Sequence, residues 1–150
     1  MPGARPIRRY NPLMRRLIAL ISVLVFPSLA FAQSGALMVV GGGGTGPDIV
    51  AKTLALAGGK NAIVAVLPQS SAVEGAGDGS VKMWLEAGPR EASNVAFDDP
   101  KAAASLRRAT LIWMPGGDQN RFMKAIEGTG LAEIIRERHR AGVTVGGTSA

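Results

Sequence analysis

From Ala36 onward, short apolar runs alternate with segments of helical pattern, and that alternation leaves few folds open. Strands separated by helices, and not by tight hairpins, build a parallel sheet covered on both faces. Strands are expected at 36–40, 62–67, 94–97, 110–114 and 142–145. Pro47 and Asp48 suit the first turn of a helix that closes at Gly58 and Gly59. Asp98, Asp99 and Pro100 open another over 101–108, with carboxylates at its positive end. Further helices are expected over 119–126 and 131–140; in the latter Leu131, Ile134 and Ile135 share a face against Glu133, Arg136, Glu137 and Arg140. Residues 69–80, rich in Ser, Gly and Ala, read as a long loop.

Charge and composition then remove several classes of function. The formal charge of +6 points toward a basic surface, but five of the 17 Lys and Arg residues precede Leu17 with no acid among them. The other twelve face eleven acids, a net charge of +1, so the domain carries no clustered basic footprint for nucleic acid. Those early arginines, the apolar run from Leu17 to Leu29 and the Ala30-Phe31-Ala32 tripeptide instead read as a secretory signal over 1–32. Met14 is an alternative start for the same signal. The expected destination is the periplasm or the outside of the cell, with membrane contact only through the signal; an uncleaved anchor is the rival. With no cysteine, the chain has no disulfide, thiolate nucleophile or thiolate metal site. No metal and no cofactor are expected.

Ligands of open parallel sheets bind beyond the carboxyl ends of the strands. Four segments with unusual chemistry leave those ends: 41–45, 68–71, 115–119 and 146–149. Gly41, Gly43 and Gly46 match a dinucleotide-binding glycine pattern. The acid that should follow the second strand and hold a ribose is absent, since Pro68-Gln69-Ser70-Ser71 stands there. A nucleotide-binding module is therefore kept as the rival reading. Gly116 and Gly117 could aim backbone amides at an oxyanion, while Asp118 suits the cap of the following helix. Ser149, after an apolar strand and two glycines, fits a nucleophile elbow, in which a sharp turn lifts a serine above the sheet. His139, the one histidine, sits in the last turn of a charged helix, where the helix dipole alone favours it.

Taken in order, Gly41-Gly42-Gly43-Gly44, Pro68-Gln69-Ser70, Gly116-Gly117-Asp118-Gln119 and Gly147-Thr148-Ser149-Ala150 resemble the cyanophycinase-like branch of the S51 serine peptidases. The resemblance covers nearly all of 36–150. It implies an α/β three-layer sandwich with a mainly parallel sheet, similar to class I glutamine amidotransferases (flavodoxin-like), of which the C-terminal half is missing. It also implies that Ser149 is the nucleophile and that the amides of Gly117 and Ala150 form the oxyanion hole. The resemblance further implies that Gln119 helps hold the substrate, with Asp118, Gln69 and Ser70 as further substrate-binding candidates. The implied reaction is hydrolysis of the aspartate–arginine isopeptide bond of cyanophycin or of a related β-aspartyl peptide. A homo-oligomer is left open. In such proteins the catalytic histidine follows the serine, so the 150 residues are expected to be inactive as a fragment. A degenerate, non-catalytic fragment is the remaining alternative.

Overall fold

The computed structural model describes residues 34–42 and 44–149, so the signal reading of 1–32 lies outside the described residues, as do Gly43 and Ala150. Five strands form one wholly parallel sheet: β1 (Leu37–Val40), β2 (Ile63–Val66), β3 (Glu91–Asn94), β4 (Leu111–Met114) and β5 (Thr144–Thr148). Their order across the sheet is β1-β5-β4-β2-β3. Helices fill every connection, as parallel pairing requires. These are α1 (Pro47–Leu56) and a short 3-10 turn (Gly59–Asn61), α2 (Asp78–Ala87), α3 (Ala102–Arg108), and then α4 (Gln119–Ile126) with α5 (Leu131–Arg140). In α5 the Glu133 carboxyl is held below the ordinary carboxylate range, first by a backbone N–H at the helix start and then by Arg136.

Strand alternation divides the core in two. Val64, Val66, Leu111 and Trp113 pack with Val50 and Leu54 of α1 and Trp84 of α2 on one face. Ala65, Ile112 and Val145 pack with Leu106 of α3, Ile126 of α4 and Leu131 and Ile134 of α5 on the other. This is the expected three-layer α/β arrangement. Connections from β1 and β2 run one way across the sheet and those from β3 and β4 the other, so right-handed crossovers put the two helix sets on opposite faces. Neighbouring β2 and β4 thus send their chains in opposite directions, and a crevice opens between their carboxyl ends.

Three expectations need correction. Helix α2 was not anticipated, and residues 78–80 of the expected loop are its first turn. Glycine and serine at Gly79 and Ser80 weaken the local helical signal. Helix formation there is driven by burial of Trp84, which is fully enclosed and meets Trp113 edge-on at 5.0 Å between ring centroids. The third strand occupies Glu91–Asn94, not 94–97. As an edge strand of the described sheet it tolerates polar residues, while Val95, whose N–H still donates to the Val66 carbonyl, and Phe97 lie beyond it and pack into the core. The fifth strand occupies Thr144–Thr148, not 142–145, so Gly146 and Gly147 lie inside it. They serve close packing: a Cβ on Gly146 would sit 2.9 Å from both the Met38 carbonyl oxygen and the Trp113 ring.

Candidate active site

All four glycine- and serine-bearing segments reach one groove of about 420 Å³ beyond the strand ends. Gly41 follows β1, Ser70 follows β2, Pro115, Gly116, Gly117 and Gln119 follow β4, and Thr148 and Ser149 end β5. Met114, Phe122 and Met123 give it an apolar floor together with Leu37 and Val39 of β1. The last two are 67% and 78% exposed on this edge strand.

Ser149 is exposed, one residue past β5, and its backbone N–H donates to the Val40 carbonyl at 2.8 Å. That bond extends the β1–β5 ladder, so the chain enters the serine extended. Gly117 faces the groove with φ of +146°, a backbone state that favours glycine. Among the described residues its N–H has no acceptor, which an oxyanion donor requires.

Of the expected substrate-binding side chains, Gln119 is exposed on the groove and has no protein partner among the described residues. The others are engaged in holding the walls. Asp118 Oδ1 accepts the N–H groups of Asn120 (2.8 Å) and Arg121 (3.3 Å), capping α4. Replacing Asp118 with alanine is expected to cost about 1 kcal/mol in urea unfolding, with Asp118→Asn close to the parent, because either oxygen can cap. Ser70 is 7% exposed, and its hydroxyl donates toward the carbonyls of Pro115 (2.9 Å) and Gly116 (3.1 Å). Gln69 is turned toward β3, where Nε2 donates to the Val95 carbonyl at 2.6 Å. The segment after β2 therefore offers no carboxylate to a ribose, and the nucleotide reading gains nothing there.

His139 lies at the other end of the sheet, with Nδ1 3.3 Å from the Val143 carbonyl just before β5. At about 3.3 Å per residue, the run from Val143 to Ser149 spans about 20 Å, too far for proton transfer. In the sequence Thr148 stands out only as the residue before Ser149. Its Oγ1 accepts the Gly116 N–H at 2.6 Å, a contact that depends on β4–β5 register and leaves no signature in a linear motif.

Comparison with known proteins settles the family. The model of peptidase family S51 matches residues 37–150. This chain belongs to that family. A cyanophycinase of Geminocystis herdmanii (strain PCC 6308) is 34% identical over 113 residues, covering 70% of this chain and 42% of that protein. A peptidase from an acI-B1 Actinobacterium, known from a crystal structure, superposes with a TM-score of 0.60 at 20% identity, covering 79% of this chain and 55% of that one. That likeness concerns the fold, a flavodoxin-like sandwich. The S51 chain thus spans less than half the length of the cyanophycinase it matches.

Proposed function

We propose that the groove is the nucleophile half of a serine-type peptidase site that cleaves β-aspartyl–arginine isopeptide bonds, as in cyanophycin or related β-aspartyl peptides. The observation that carries this reading is the pairing of exposed Ser149 with the unaccepted Gly117 N–H in one groove. Membership of family S51 and the cyanophycinase relative support the reaction and the substrate class. In the reaction, Ser149 Oγ attacks the isopeptide carbonyl carbon and its proton passes to a base. Negative charge on the former carbonyl oxygen is met by the Gly117 N–H, with the Ala150 N–H as the proposed second donor. The C–N bond breaks, the amine leaves with a proton, and water then releases the acyl group and restores the serine.

Among the described residues no histidine stands beside Ser149: the one histidine of the sequence, His139, lies about a strand length away. A polypeptide of these 150 residues is therefore expected to react slowly with a fluorophosphonate, in which Ser149 Oγ displaces fluoride from phosphorus. Added imidazole should accept the serine proton and speed labelling about tenfold or more, part of the roughly 100- to 10,000-fold a positioned base contributes. A β-aspartyl–arginine peptide should slow that labelling, and an α-linked peptide of the same composition should not. Equal protection would remove the isopeptide preference. No imidazole-dependent labelling, or labelling retained in Ser149→Ala, would sink the nucleophile assignment.

A further inference from the structure

The geometry points to Thr148 as a positioning residue: it holds the Pro115–Gly116 peptide, and through it the adjoining Gly116–Gly117 peptide, so that the Gly117 N–H faces the serine side of the groove. This inference rests on the reading of Ser149 and Gly117 above and adds the device that orients them.

The β4–β5 ladder is paired as far as Met114 and Gly147. The next residue on β4, Pro115, has no N–H to give, so the ladder stops there. The following donor, Gly116 N–H, is taken by the Thr148 side chain at 2.6 Å. A side-chain acceptor lets β4 leave the sheet at Pro115 while keeping the departing chain tied to the residue immediately before Ser149. Contact is so close that a Cβ on Gly116 would overlap the Ser149 carbonyl.

The same turn is held from the opposite side. Ser70 Oγ donates toward the Pro115 and Gly116 carbonyls, and the Ser70 carbonyl accepts Asp118 N–H at 3.0 Å. In a trans peptide the C=O of Gly116 and the N–H of Gly117 point in opposite directions, and the described residues contain no cis bond. A Gly116 carbonyl drawn toward Ser70, at the β2 side, therefore turns the Gly117 N–H away from β2. In the order β5-β4-β2, away from β2 is toward β5 and Ser149. The Pro115–Gly116 peptide is held from both sides, its C=O by Ser70 and its N–H by Thr148; glycine peptides rotate easily, so without the Thr148 bond this unit and the Gly116–Gly117 unit joined to it would be anchored on the Ser70 side alone.

The test compares Thr148→Val, which keeps shape but removes the acceptor, with Thr148→Ser, which keeps the hydroxyl. Amide NMR of the 150-residue chain reads the peptide directly, and imidazole-assisted fluorophosphonate labelling reads its effect on Ser149. Thr148→Val is expected to shift the Gly116 amide proton upfield, displace the Gly117 amide resonance, and slow labelling about tenfold to a hundredfold, the range of a small misplacement at a reacting centre. Thr148→Ser should restore both to within about threefold of the parent. An unmoved Gly116 resonance in Thr148→Val overturns the proposal, as does a moved resonance with unchanged labelling. A parent chain that does not label even with imidazole defeats the nucleophile reading instead, and the Gly117 resonance then decides the positioning claim alone. If Thr148→Val does not fold, Ser70→Ala loosens the same peptide from the other side, and unchanged Gly116 and Gly117 resonances in it overturn the proposal.

Discussion

Replacing Trp84 with alanine is expected to lower the unfolding free energy by about 3–5 kcal/mol, the range for emptying a large aromatic site in a packed core. Trp84 is fully buried on α2 and meets Trp113 of β4 at 77° between ring planes, so the substitution removes both contact area and an edge-to-face pair. It shares one core cluster with Val64, Val66, Leu111 and Val50, drawn from three separate elements, which cannot all collapse into the vacated volume. Among the described residues the indole N–H has no acceptor, so the side chain contributes through packing and not through a hydrogen bond. Trp84→Phe should then cost less, since it keeps much of the ring and removes a buried donor that is unmatched. Urea unfolding measures both, and a Trp84→Ala loss below about 1 kcal/mol would show that α2 is not anchored by this residue.

Replacing Gly117 with alanine is expected to have the largest effect on reactivity, slowing imidazole-assisted labelling of Ser149 by about 100-fold, as loss of one oxyanion donor does. The added Cβ would lie 2.8 Å from the Ser70 carbonyl oxygen and 2.9 Å from its carbon. Those are backbone atoms, and the same carbonyl accepts the Asp118 N–H, so the neighbour cannot simply rotate aside. With φ of +146°, alanine is strained there whatever the space, at about 1–3 kcal/mol. The turn should relieve both by moving, and the Gly117 N–H moves with it. Labelling at the parent rate in a folded Gly117→Ala chain would remove Gly117 from the oxyanion hole.

Much of the architecture was legible in the chain because it is written in local chemistry. Helices α4 and α5 begin and end where the sequence suggested, since Asp118 caps one and an apolar stripe of Leu131 and Ile134 defines the other. Buried β2 and β4 read as strands because a sheet covered on both faces needs apolar residues at successive positions. The misread elements depend on partners distant in sequence. Glu91–Asn94 is a strand only because β2 offers it a ladder, and Arg108 reaches its Glu91 carboxylate at 3.0 Å. Helix α2 follows from the Trp113 ring that Trp84 covers.

The candidate site divides in the same way. By itself the sequence determined the inventory: a serine between small residues, glycines able to expose amides, a helix-capping aspartate and a single histidine. Tertiary structure decided which of these groups are engaged within the protein. Ser70 and Gln69 look equally suited to a substrate, yet pairing of β2 with β4 and β3 turns both inward onto backbone carbonyls and leaves Gln119 on the groove. The sequence reads Gly146 and Gly147 as small residues leading into an elbow, and the folded sheet shows that neighbouring strands press on them inside β5. The hydroxyl of Thr148 acquires its partner only when β4 and β5 come into register, across 32 positions of chain. Residue type sets which chemistry is available. Which group is spent on the protein and which remains for a substrate depends on hydrogen bonds between strands that only the folded sheet brings together.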